Sequence, residues 1–417
     1  MFALTDATGC YSAIEKIFDP SIRHRPVVVL TNNDGNICAL CPIARDLGIP
    51  KFEPYFKVKH LLAKHNVVVR SSNYELYADI SQKMMNVIAR YAQNTYVYSI
   101  DEAFSDFNNY DNVIKDWYGY GHIMRRAVWK ETRMPVGVGF GPTLTLAKAA
   151  NHGSKKLPDS DGVCVINDEY SRKHILSQMK LDHVWGIGRK LSQHLSLMGL
   201  KTAWDLSCQN PKAMRKQFSV LVERTINELN GVPCLAWDDV KTQKKEIFST
   251  RSMGKRITCR HQLRQALTSH VATVARKAFE QRTLIKKIAI FASSSPHDEI
   301  FYKKSVVAAY PAGTNNLATL SESIELAMKE LYREGVNYYR AGVGAIELVD
   351  ATIIQQDMFS PVDTPVITEC YHDINKRFGR GTLMIGSEAG TKTWSMRREF
   401  LSPRSTTRWS DIPKINC

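Results

Sequence analysis

The 417-residue chain has no uninterrupted apolar run near the roughly 18 to 20 residues that a membrane-spanning helix requires. Its opening residues, MFALTDATGCYS, carry an acid where a secretory leader has Lys or Arg. The expected location is therefore cytoplasmic. Internal repeats and low-complexity tracts are missing too, which excludes solenoids, fibrous arrays and a largely disordered chain. The nine cysteines, at 10, 38, 41, 164, 208, 234, 259, 370 and 417, are scattered and odd in number, and suit reduced thiols better than a disulfide framework. Cys38 and Cys41 form a C-x-x-C, but no second Cys or His pair follows at the short spacing of a zinc site. They are read as small buried residues.

What is present is an ordinary globular composition, 44% hydrophobic, in a chain long enough for two to four domains. A formal charge of +15 exceeds what solubility requires and points to a polyanionic partner, nucleic acid before an anionic membrane. MFALTD and RPVVVLTNN read as strands joined by a helix near residues 11–18. Residues 74–92 space Leu76, Ile80, Met84, Val87 and Ile88 at helical intervals, and TYVYSIDEAFSDF then alternates like a strand pair. A helix around 112–131, the strand PVGVGF and a helix ending at the basic turn Lys155–Lys156 complete an α+β pattern, expected to place helices on one face of a mixed sheet. Residues 234–250 read as a linker. Strands near 286–294, 304–309 and 340–349 alternate with helices near 260–280 and 318–335, a second and smaller α+β unit.

Asp6 ends the first strand, and Asp101 and Glu102 stand together at the turn of a hairpin expected beside it. Three converging carboxylates are unfavourable unless cations neutralise them, and hard oxygen ligands at the end of a sheet suit Mg²⁺ held with substrate phosphates. Spacing alone leaves a solvated acidic turn as the other reading. In VWGIGRKLSQHL, Gly186 and Gly188 allow a tight turn into a helix whose exposed amides favour a phosphate, with Arg189 and Lys190 beside them. This is the helix-hairpin-helix pattern, which grips the DNA backbone without reading sequence. A plain helix connector is its alternative.

Eight blocks then occur in order: MFALTD, VVVLTNNDG, SSNYELYADIS, YSIDEAF, LAKAANHGSKK, VWGIGRKL, VERTINELNG and LSPRSTTRWSD. Together they resemble the Y-family translesion DNA polymerases, most closely the UmuC-type branch. The resemblance implies a right-hand polymerase with a ferredoxin-like palm (1–9 and 76–165), small fingers (10–75), a helical thumb carrying the helix-hairpin-helix (166–238), an α+β little finger that binds DNA (243–350) and a C-terminal extension (351–417). It further implies that Asp6, Asp101 and Glu102 hold two Mg²⁺ ions and are catalytic. Arg45 and Lys155 would contact the triphosphate, Tyr11 would be the aromatic gate that excludes a 2′-hydroxyl, and Cys10 and Ala39 would line the nucleotide site.

The resemblance also implies a bacterial, cytoplasmic enzyme of the SOS response that copies damaged primer-template DNA with deoxynucleoside triphosphates, without a membrane. Its implied partners are a sliding clamp, a processed UmuD-type dimer and a RecA-type recombinase. QQDMF offers Gln355, Met358 and Phe359 as the clamp-binding anchors. Several residues depart from the family pattern. Cys10 replaces an aromatic, Thr8 and Gly9 replace Asn and Ala, Leu40 replaces an arginine, Leu144 replaces a lysine, and Pro42 is expected to break the local helix. These departures are read as touching the nucleotide pocket, and they motivate a second reading, a catalytically silent regulator that binds DNA and clamp. A nucleotide cyclase shares the palm chemistry but has no use for a phosphate-gripping hairpin.

Overall fold

The computed structural model describes residues 1–110, 112–235, 237, 244–352, 365–379, 381–390, 392 and 394–412. They fall into two units, one made of the described parts of Met1–Thr31, Gly35–Thr242 and Phe400–Cys417, the other of those of Asn32–Asp34 and Gln243–Glu399.

The first unit opens with β1 (Phe2–Ala7) and α1 (Cys10–Phe18). Next come β2 (Val27–Leu30), β3 (Ile37–Leu40), α2 (Pro42–Asp46), α3 (Tyr55–Lys64) and β4 (Val68–Ser71). These strands form a separate three-stranded sheet in the order β3-β2-β4. All four side chains of β2, VVVL, are buried, as a central strand covered on both faces requires. Pro42 does not break a helix. It is the first residue of α2, where its missing N–H has no partner to lose and its fixed φ suits the helix.

The larger sheet follows, from α4 (Tyr74–Ile88), β5 (Asn94–Val97), β6 (Glu102–Asp106), α5 (Trp117–Thr132), β7 (Val136–Gly141), α6 (Leu144–Lys156) and β8 (Val163–Val165). Its order is β5-β6-β1-β7-β8. Only the β7–β8 pair is parallel. With β6 and β7 on its two sides, β1 has no edge left for β2, so the expected strand–helix–strand opening is split between two sheets. Helices also cover both faces, not one. Ala3 and Ala103 pack toward α4 and α5. Their neighbours Leu4 and Phe104 pack with Leu144 and Ala147 of α6. Leu144 is thus a core residue at 1% exposure, which corrects its reading as part of the nucleotide pocket.

The approach of α6 to the sheet depends on Gly139 of β7. A β-carbon there would lie 1.9 Å from the backbone nitrogen of Asn151. Asn151 uses this closeness to donate to the carbonyls of Leu4 (3.0 Å) and Gly137 (2.8 Å). The small helices α7 (Glu169–Gln178), α8 (Arg189–Leu197), α9 (Ala203–Ser207), α10 (Pro211–Gln217) and α11 (Val220–Leu229) close around Leu176, Leu195, Leu206 and Ile226. Buried Glu228 ties them to the start of α6, where its carboxylate accepts from the Thr145 N–H (3.1 Å) and complements the helix dipole.

In the second unit β9 (Ile247–Ile257), α12 (Arg260–Glu280), β10 (Thr283–Ser293), β11 (Lys303–Thr314), α13 (Leu317–Leu331) and β12 (Tyr338–Asp350) form an antiparallel sheet in the order β11-β10-β12-β9, with α12 and α13 packed on its core. A further helix, α14, spans Pro365–Phe378. The expected linker is shorter than its composition suggests. Ile247 already belongs to β9, and Trp237 stacks on Phe2 of the first unit at 6.1 Å. No helix among the described residues is long and apolar enough to cross a membrane.

Candidate active site

The antiparallel register of β1 and β6 sets Asp6 directly opposite Glu102, so both side chains leave the same face at the end of the sheet. Asp101 sits one residue before β6, where its carbonyl accepts from the Ala7 N–H at 2.9 Å. Ser99 shapes the hairpin turn. Its hydroxyl accepts from the N–H groups of Asp101 (3.2 Å) and Glu102 (3.1 Å) and donates to Asp101 Oδ1 (2.5 Å).

Two lysines of α6 face this acidic end. Lys155 Nζ lies 2.5 Å from Asp6 Oδ2, and Lys148 Nζ lies 3.1 Å from Glu102 Oε2. Seven residues are two helical turns, which brings both ammonium groups to one side of α6. Lys148 was absent from the sequence-derived site, although that spacing from Lys155 was its signal. Its charge also rests 4.5 Å over the Tyr98 ring and 5.5 Å over Trp185. Burial pushes the Asp6 carboxyl up to about 6, against the lowering effect of Lys155, while Glu102 and Asp101 add to the rise. Burial likewise pushes the Cys10 thiol up to about 12, helped by the charges of Asp101 and Asp6. Cys10 therefore borders the carboxylates as a neutral thiol.

Tyr11, the next residue, is half-buried and stacks on Tyr77 with ring centres 4.5 Å apart. Burial raises its hydroxyl above the ordinary phenol range, with Tyr74, Cys10, Cys38 and Asp101 contributing. Ala39 lies on β3 and packs against the same core as Cys10. Arg45, on α2, is exposed and makes no ion pair with the carboxylates among the described residues. The structure thus brings Asp6, Asp101, Glu102, Lys155, Cys10 and Tyr11 into one region.

The Gly186–Gly188 turn lies before α8. Gly186 adopts φ 87°, Gly188 caps α8, and Arg189 and Lys190 are exposed on its first turn. The element entering the turn is a single 3-10 turn at Leu181–His183, shorter than the expected helix. Trp185, within the turn, donates to the Tyr98 hydroxyl at 3.3 Å and so joins the turn to the hairpin that carries Asp101 and Glu102. Cys38 and Cys41 are free thiols, with Cys41 Sγ accepting from the Val27 N–H at 3.2 Å. Gln355, Met358 and Phe359 lie outside the described residues.

Solved DNA polymerases share this architecture. The insertion ternary complex of Dbh DNA polymerase matches with a TM-score of 0.56 at 18% identity, covering 84% of this chain and 100% of that one. A Y-family DNA polymerase chimera of Dbh and Dpo4 matches with a TM-score of 0.64 at 18% identity over the same shares. The fold is that of the Y-family DNA polymerases.

Sequence comparison is more specific. The impB/mucB/samB family matches residues 5–152, its C-terminal domain matches 244–358, and a domain of unknown function, DUF4113, matches 369–415. Protein UmuC of Salmonella typhimurium is 36% identical over the whole of both chains, and Protein ImpB of the same organism is 34% identical over 99% of both. DNA polymerase IV of Bacillus velezensis is 23% identical over 95% of this chain and 96% of its own. The chain belongs to the impB/mucB/samB family.

Proposed function

We propose that this Y-family enzyme performs template-directed, error-prone DNA synthesis past damaged bases by nucleotidyl transfer at Asp6, Asp101 and Glu102. The observation that carries the reading is the cross-strand pair Asp6 and Glu102, with Asp101 beside them and two α6 lysines against them. A solvated acidic turn does not explain why two cations are brought to it.

Y-family polymerases work with divalent metal, and the hard carboxylate oxygens on adjacent strands suit Mg²⁺. Each carboxylate is engaged as it stands, Asp6 by Lys155, Glu102 by Lys148 and Asp101 by Ser99. Among the described residues no three His, Cys, Asp or Glu side chains already form a metal cluster. Asp6, Asp101 and Glu102 would hold two ions by exchanging these partners. Bound metal supplies the positive charge that lowers the primer hydroxyl's pKa and neutralises the departing pyrophosphate.

The chain's own residues do the rest. Lys155, once released by Asp6, and the exposed Arg45 supply cations for the triphosphate. Tyr11, beside Cys10 and Ala39, bounds the sugar. The amides after Gly188, with Arg189 and Lys190, hold a backbone phosphate of the duplex. In hand terms the boundaries are palm 1–9 and 76–165, fingers 10–75, thumb 166–238, little finger 243–350, and an extension to 417 that includes the clamp peptide at 355–359. A sliding clamp, a processed UmuD-type dimer and a RecA-type recombinase are the partners this reading carries.

The test is Asp101→Ala in a primer-extension assay with Mg²⁺. Extension is expected to disappear while affinity for primer-template is kept. Extension at the wild-type rate removes Asp101 from the metal site.

A further inference from the structure

Residues 400–404 pack within the first unit and reach Glu15, whose partner Tyr77 stacks on Tyr11. Phe400 exchanges two hydrogen bonds with Ser71: its N–H donates to the Ser71 hydroxyl (2.9 Å), and its carbonyl accepts from the Ser71 N–H (3.0 Å). Its ring meets the edge of Tyr55 at 5.6 Å. Buried Asn73 donates to the Ser402 carbonyl (3.2 Å), the Ser402 hydroxyl oxygen (3.0 Å) and the Pro403 carbonyl (3.3 Å). Arg404 pairs with Glu75 at 3.5 Å.

The Ser402 hydroxyl donates in turn to Oε1 of Glu15 at 3.0 Å. Glu15 is 1% exposed and stands four residues after Tyr11, on the same side of α1. The same Oε1 accepts from the Tyr77 hydroxyl at 2.6 Å, while Arg70 Nε lies 3.6 Å from Oε2. Tyr77 is fully buried, and its ring lies 17° from parallel beneath Tyr11. A buried carboxylate holding two hydroxyls is a costly arrangement unless all its partners are fixed. Here the partners come from the tail and from the platform of Tyr11.

We propose that residues 400–411, the end of the segment matched by the domain of unknown function, form a strap that sets the position of Tyr11 through Ser402, Glu15 and Tyr77. The strap is a sugar-specificity element for the incoming nucleotide, and Ser402, Glu15 and Tyr77 are positioning residues that never touch the substrate. The specificity half rests on Tyr11 being the gate; the positional half does not.

The experiment uses the full chain with Ser402→Ala, Ser402→Thr, Tyr77→Phe and Tyr11→Ala. The first readout is the ratio of kcat/KM for a deoxynucleotide over its ribonucleotide in single-nucleotide insertion. Ser402→Ala and Tyr77→Phe are expected to lower the ratio about fivefold, and Ser402→Thr to keep it. A loss of folded protein scales both rates together and leaves the ratio alone. The second readout is the ¹⁹F resonance of 3-fluorotyrosine at position 11, expected to shift or broaden in Ser402→Ala. An unmoved resonance with an unchanged ratio overturns the strap. A moved resonance with an unchanged ratio in Ser402→Ala, where Tyr11→Ala does lose sugar discrimination, overturns its specificity role. If Tyr11→Ala keeps full discrimination, the gate assignment fails, and the resonance still decides whether the strap sets Tyr11.

Discussion

Two neighbouring glycines of β7 test whether the close seating of α6 is what delivers its lysines to the carboxylates. At Gly139 a β-carbon meets backbone: 1.9 Å from the Asn151 nitrogen and 2.5 Å from the Ala150 carbonyl carbon. Neither atom can rotate away, so Gly139→Ala forces the helix back by about 1.5 Å to restore ordinary contact. That retreat breaks the Asn151 hydrogen bonds of 2.8 and 3.0 Å to Gly137 and Leu4. Overpacking plus two lost buried hydrogen bonds comes to about 3 to 5 kcal/mol. At Gly137 a β-carbon meets only side chains, Ser154 Oγ at 2.6 Å and Lys155 Cε at 3.3 Å. Gly137→Ala is expected to cost about 1 kcal/mol, mainly the Ser154 hydrogen bond, while displacing the stem of Lys155. Differential scanning calorimetry of the full chain should show Gly139→Ala lowering the melting of the first unit by roughly 10 °C, and Gly137→Ala by far less. Primer extension should fall in both. Equal melting losses, or a Gly139→Ala melt within about 2 °C of wild type, refute the packing argument.

Lys148→Met removes a cation that competes for Glu102, so the Mg²⁺ concentration giving half-maximal extension is expected to fall about fivefold, and a rise contradicts the competition. His270, buried in the second unit, is pushed down to about 4 by burial and by the charge of Arg251, while its Nδ1 lies 2.8 Å from the Ser249 hydroxyl. The unfolded chain protonates this imidazole near 6.5 and the folded chain does not until about 4. Stability is therefore lost as pH falls through that window, by about 3 kcal/mol in total, and the loss is complete below about 4. His270→Gln should remove that portion of the pH dependence in denaturant titrations of the second unit; a slope equal to wild type contradicts the assignment.

The residues that were legible in the sequence are those whose pattern is local. Alternation across residues 96–107 revealed the hairpin, and apolar spacing revealed α4. β9 was missed because its exposed Arg and Ser residues look like linker, although Ile247, Met253 and Ile257 stand an even number of residues apart and share one buried face. The membership of β2 in a second sheet was not legible, since a short VVVL run says that a strand is buried but not beside which strand. Pro42 was misread because a proline looks the same in sequence whether it breaks a helix or begins one. In the candidate site, Asp6, Asp101, Glu102 and Lys155, read from separate stretches of the sequence, lie close together. Lys148, Trp185 and Tyr77 were missed because each acts through a contact with a residue far away in the chain: Glu102, Tyr98 and Glu15.

The most direct test of lesion bypass is insertion by the unmodified chain opposite an abasic site, with Mg²⁺, the four deoxynucleotides and, in parallel reactions, the proposed clamp and recombinase partners. A nucleotide is expected opposite the lesion, with extension beyond it, in at least the partnered reaction. Tight binding to primer-template with no nucleotide added under any of these conditions, on damaged or undamaged template, contradicts it and leaves a silent DNA-binding regulator.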